Sequence, residues 1–220
     1  MPRSPSGDQP RSDRDNQRVS SETSEIPRAD ATRARLLEAA VTAFAAKGFR
    51  GTTTRDIAAA AGMSPAALYV HHKSKEELLY LISKAGHEAT LQLVQDAIGS
   101  PEDDPAAALR RVIHDFSVSH ARGQTSARIV NYELTSLTPE HLAEIRQIRH
   151  TIDAEIRSLV ERGVAEGAFD TPDPSMATVA LLSLGIDIAR WYHDGGRWTP
   201  EDIADRYAEM ALRIVGARTA

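Results

Sequence analysis

The chain has 220 residues, 41% of them hydrophobic, and a formal net charge of −5. That length allows one helical domain or two small ones around a sizeable core. The absence of cysteine excludes disulfides and thiolate-held metals, no apolar run approaches the ~20 residues of a membrane span, and the start lacks the apolar stretch of a signal peptide, so a cytoplasmic protein is expected.

Residues 1–29 are rich in Pro, Ser, Arg and Asp. They hold too few large apolar side chains to offset the entropy of ordering and are expected to form a disordered arm. Every later segment reads as helix, so the fold class is all-α, with about nine helices. Leu36, Leu37, Ala40, Val41 and Phe44 recur at helical spacing, and Gly48 ends that helix. Thr53 caps a short helix with Asp56 three residues on, and Gly62 closes it. Ser64 caps the next, with Pro65 at a first position where a missing N–H costs nothing. Ser74 opens a long helix, with Glu77 placed to complete a capping box. After a loop at 99–104, helical patterns follow at about 105–120, 126–136, 139–166, 173–193 and 199–215.

Charge divides the chain unevenly. Residues 30–80 carry seven Lys/Arg against five acids, and residues 81–220 carry 14 against 21. A mildly basic head thus sits on an acidic body. Within the head, two short helices joined by a Gly-containing turn make a helix-turn-helix unit. The Ser and Ala side chains of the second helix keep it narrow enough to enter a major groove about 12 Å wide. Ser64 and Ala66 can reach base edges, while Tyr69 and His71 can donate to phosphates. Lys73 and Lys75 stand at the start of the following helix, where a positive helix end disfavours cations unless an external anion is present. The DNA-facing set is therefore Thr53, Thr54, Arg55, Ser64, Pro65, Ala66, Tyr69, His71, His72, Lys73 and Lys75.

The stretch "TTTRDIAAAAGMSPAALYVHHKSKEELL", with "AAVTAFAAKGF" before it, resembles the DNA-binding signature of the TetR family of transcriptional regulators. The resemblance covers Thr32 to about Leu79. It implies a helix-turn-helix DNA-binding domain over 30–76, a helical ligand-binding and dimerisation domain over 77–220, a homodimer, and a palindromic duplex operator. One position departs: His72 stands where the family usually has Phe packed under the recognition helix.

The body shows no catalytic grouping. It lacks a Gly-rich phosphate loop and an HExxH pair, and its histidines are scattered, so neither an enzyme, a metal nor a cofactor is expected. Along 139–166, Leu142, Ile145, Ile148, Ile152, Ile156, Leu159 and Val160 form one apolar stripe, and Arg149 falls within it. A buried arginine needs an anion. Two readings stand: an ion pair with Glu133, or a pocket arginine that meets an anionic ligand. Arg146 and Arg157 flank the stripe at a possible pocket mouth. Trp191 lies on the stripe of its own helix with Leu181, Leu184 and Ile188, either packed in the core or lining a pocket.

The segments "YEL…LTPEH", "ERGVAEGAFD" and "LLSLGIDIARWY" are similar to a TetR branch that controls fatty-acid or steroid catabolism and senses acyl-CoA thioesters. This resemblance implies a repressor released by an amphipathic acyl-CoA, with pairing through the last two helices, 173–193 and 199–215. The alternative is a helical protein–protein adaptor without specific DNA binding.

Overall fold

The computed structural model describes residues 13–217, with side chains from Asp30 onward. Nine α-helices and one 3-10 turn make up the described chain, and no strand occurs among those residues. The head is α1 (Asp13–Gly51), α2 (Thr54–Ala60) and α3 (Pro65–His71). The body is α4 (Lys75–Ile98), α5 (Pro105–Arg122), α6 (Gln124–Tyr132), the 3-10 turn Leu134–Ser136, α7 (Pro139–Ala165), α8 (Pro174–Trp191) and α9 (Pro200–Ile214). Of the expected arm, residues 1–12 lie outside the described residues, and α1 begins at Asp13, inside it. The composition argument concerned burial, and local backbone helicity does not require an apolar face.

Local chemistry explains most of the boundaries. Gly48 interrupts α1 with φ 68°, a left-handed conformation that only glycine adopts without strain. Thr53 and Asp56 exchange side-chain and backbone bonds in a complete capping box at α2, and Ser64 caps α3 with Pro65 behind it. At α4 the expected box is different. Ser74 accepts from Glu77 N, but the Glu77 carboxylate takes the backbone N–H of Lys73 rather than that of Ser74. Five helices of the body and head begin with proline in the first turn after an Asp, Ser or Thr cap: α3, α5, α7, α8 and α9.

Two apolar cores hold the molecule. One joins Leu36, Phe44, Ile57 and Leu68 of the head to Leu78, Leu79, Ile129 and Ile145 of the body. The expected boundary at 76/77 thus falls within the first turn of α4, over a continuous core. The second core packs Val112, Phe116, Ile152, Ile156, Leu181 and Val215 together from α5, α7, α8 and the end of α9. Of the apolar residues on α8 and α9, the helices expected to pair subunits, Leu181, Ile203 and Ala211 are buried within this chain, whereas Met176, Val179, Met210 and Ile214 are exposed.

Candidate DNA-binding head and effector cavity

The helix-turn-helix presents one polar face. Thr53, Arg55, Ser64, Pro65, Ala66, Tyr69 and Lys73 are exposed, and Thr54 and His71 are half-buried. The Tyr69 hydroxyl lies 3.2 Å from Thr54 Oγ1, which ties the start of α2 to the middle of α3 and places both hydroxyls on that face. Val70 is 80% exposed, the most exposed large apolar residue among those described. It was absent from the expected set, although an apolar side chain on a groove-entering helix can meet a thymine methyl.

Two members of the expected set turn inward. His72 is only 4% exposed. It closes α3, and both ring nitrogens are buried without a partner. Burial lowers its pKa and so favours the neutral ring. The imidazole therefore packs where the family's phenyl ring would sit and does not face DNA. Lys75 is the second. Its Nζ donates to Phe49 O and Thr52 O, both at 2.8 Å, and lies 4.4 Å from the Phe49 ring centroid. The positive helix end does not hold this lysine toward an external phosphate; the orphan carbonyls at the end of α1 supply the negative partner instead.

Glu133 is equally displaced from its expected role. Its Oε1 accepts from Phe49 N at 3.3 Å, so it supports the end of α1 and is not the partner of Arg149. Phe49 thus has its N–H held by Glu133 and its C=O held by Lys75.

In the body, α4 to α8 enclose a cavity of about 870 Å³, within the range of small-molecule sites. Arg146, Arg149 and Arg157 all line it; Glu133 and Trp191 do not. Trp191 is exposed, edge-on to Trp198 with ring centroids 6.5 Å apart. Trp191 is the last residue of α8, one turn beyond the buried Ile188, and is neither packed in the core nor part of the cavity lining. Arg146 is exposed, and Arg157 is half-buried and paired with Asp153 at 3.2 Å.

Arg149 is half-buried and has no carboxylate within ion-pair distance among the described residues. Its Nη1 lies 3.1 Å from Asn131 Oδ1 and 3.2 Å from His87 Nε2. His87 Nδ1 stands 2.8 Å from Ser83 O. A carbonyl only accepts, so Nδ1 carries the proton and Nε2 accepts from Arg149. Burial, opposed by the Ser83 bond and reinforced by Arg149, pushes the His87 pKa down to about 4. His120, also buried, repeats the arrangement, its Nδ1 2.9 Å from Phe116 O one turn back in its own helix, and burial lowers its pKa as well. The cavity therefore holds a fixed cation beside neutral hydrogen-bonding groups. His87, His120 and Asn131 were not among the expected site residues. They come from α4, α5 and α6, and no spacing in the chain links them.

Comparison with known proteins fits this geometry. Residues 36–80 match the family described as bacterial regulatory proteins, tetR family, and residues 102–215 match the tetracyclin repressor-like C-terminal domain. The chain belongs to the TetR family.

A tetR-family bacterial regulatory protein from Rhodococcus RHA1 is 41% identical, with 86% of this chain and 98% of that one covered and a TM-score of 0.81. AibR, in a crystal structure with isovaleryl coenzyme A and operator DNA, is 26% identical at a TM-score of 0.76, over 85% of this chain and 100% of that one. The HTH-type transcriptional repressor KstR2 of Rhodococcus jostii is 28% identical over 182 residues, 82% of this chain and 89% of its own. As a TetR-family member, the protein is a DNA-binding transcriptional regulator and not an enzyme. That sets aside the adaptor alternative. Among the described residues, no helix is long and apolar enough to cross a membrane.

Proposed function

We propose that this TetR-family regulator is a cytoplasmic homodimeric repressor, released from a palindromic operator when an acyl-CoA thioester of fatty-acid or steroid origin enters the α4–α8 cavity. The observation that carries the reading is Arg149, a cation on the cavity wall with no carboxylate of its own. A guanidinium held this way by neutral groups is prepared for an anionic ligand. The acyl-CoA class is supported by AibR, whose structure contains isovaleryl coenzyme A and operator DNA, and by the likeness to the repressor KstR2.

In this reading Thr53, Thr54, Arg55, Tyr69, His71 and Lys73 position the head on phosphates, and Ser64, Pro65, Ala66 and Val70 approach base edges. Two heads engage successive major grooves about 34 Å apart. Pairing buries Met176, Val179, Met210 and Ile214, apolar side chains that a lone chain leaves exposed. The effector favours a dimer whose head spacing no longer fits, and the shift is limited by its differential affinity for the two states.

The test is a gel-shift titration of palindromic fragments from the gene's own upstream region, with isovaleryl-, octanoyl- and steroid-derived acyl-CoA added to the complex. Sequence-selective binding that weakens steeply with salt and is reversed by an acyl-CoA is the expected result. Selective binding that no acyl-CoA reverses would leave a repressor of another effector class.

A further inference from the structure

The buried stretch of the cavity wall, taken as its inner end, mixes apolar side chains with hydrogen-bonding ones. It consists of His87, Phe116, His120, Val130 and Ile152, and Arg149 and Asn131 stand against His87. Three of these seven side chains are neutral hydrogen-bonding groups and one is a permanent cation. Both described bonds of Arg149 leave from Nη1, although a guanidinium has five N–H donors. The remaining donors on Nη2 and Nε have no protein partner among the described residues. The lining carries three arginines and one carboxylate, and that carboxylate, Asp153, is engaged by Arg157.

We propose that this inner end is a carboxylate subsite, so that the effector carries a free carboxylate on the part buried in the cavity, remote from its thioester: a dicarboxylic or ring-derived carboxyacyl thioester rather than a plain fatty acyl one. The inference deepens the reading given above and rests on the cavity being the effector site. Charge matching separates a carboxylate from a coenzyme A phosphate here. One guanidinium compensates one carboxylate with two parallel hydrogen bonds. A more highly charged phosphate, stripped of water among neutral groups, would keep an uncompensated charge. Arg146 is exposed and the Arg157 side chain is 38% exposed, and there water shares the work of solvating phosphates. A plain alkyl end would instead desolvate the unpaired donors of Arg149 and return no hydrogen bond. A site built to bond a polar group rejects the analogue lacking it by large factors.

The test uses the full chain and isothermal titration of length-matched pairs: glutaryl- against pentanoyl-CoA, adipoyl- against hexanoyl-CoA, and suberoyl- against octanoyl-CoA. Free adipate against adipamide forms an arm without coenzyme A. The carboxylated member should bind at least ~10-fold tighter in one or more pairs, a discrimination of the size a missing polar contact produces. Arg149→Met should abolish the preference, and Arg157→Gln should weaken both members of a pair alike. If Arg149→Met fails to fold, Asn131→Ala takes its place, with a reduced preference expected. A preference for the plain acyl member, equal binding of the two, or a preference that survives Arg149→Met would overturn the subsite. Arg149-dependent binding of adipate without binding of any thioester would sink the acyl-CoA reading and leave the carboxylate subsite standing. Binding by none of these ligands would sink the subsite.

Discussion

Arg149 Nη1 donates to His87 Nε2 across 3.2 Å, from α7 to α4. The direction of that bond is dictated by the other ring nitrogen, which gives its proton to Ser83 O. A buried histidine kept neutral thereby steadies a charged neighbour without cancelling its charge. The cavity keeps an electrophilic wall that a carboxylate partner such as Glu133 would have neutralised.

Replacing Arg149 with Met should therefore preserve the fold and operator binding while abolishing effector-induced release. No protein carboxylate is stranded by the change, because Glu133 bonds Phe49 N instead. The two lost charged-donor bonds should cost on the order of 2 kcal/mol, which lowers the melting temperature without preventing folding. Thermal melts and gel shifts with and without acyl-CoA check this. Early melting of the variant, rescued by Glu133→Gln, would contradict the assigned partners.

Lys75 and Lys73 should separate cleanly. Lys75→Ala removes two charged-donor bonds to the end of α1 and should cost on the order of 2 kcal/mol of stability, read as a lower melting temperature. Lys73 is exposed, so Lys73→Ala should leave the melt unchanged but weaken binding to all duplexes and reduce the salt slope by about one. An unchanged melt for Lys75→Ala would return that residue to the DNA face.

Acid should destabilise the body through His87. Its folded pKa lies at about 4, below the ordinary histidine value of 6.5. As pH falls from 6.5 toward 4, the unfolded chain takes up the proton and the folded chain does not, so stability is lost over that window. The shift corresponds to a few kcal/mol, and His120 and His72, both lowered by burial, act in the same direction. Denaturant melts at pH 7.5 and 5 measure the loss, and His87→Gln should flatten the dependence. An equal slope in that variant would locate the titration elsewhere.

Glu133→Ala should disturb the link between cavity and head. Asn131 contributes to the cavity wall, and two residues later Glu133 holds Phe49 N near the end of α1. Effector affinity measured without DNA should stay within about twofold, while the effector concentration for half-release should shift several-fold, a coupling change within the usual range of allosteric free energies. No shift in half-release would remove this contact from the linkage.

The helices and the helix-turn-helix were legible in the sequence because their determinants are local. Thr53 with Asp56, Ser64 with Pro65, and Gly48 act over three or four residues, the range of a helix turn. The stripe that singled out Arg149 is of the same kind, whereas His72, expected on the DNA face, turned inward to a burial that only tertiary packing decides. What Arg149 touches was decided elsewhere. Its partners lie 18 and 62 residues away, on helices whose approach depends on the whole bundle. Lys75 turned from the expected phosphate to Phe49 O and Thr52 O, more than twenty residues back, because folding delivers the carbonyl end of α1 to its ammonium. Periodicity can say that a charge lies on a buried stripe; only the packing of α4, α6 and α7 determines that its neighbours are neutral and that its charge faces a cavity.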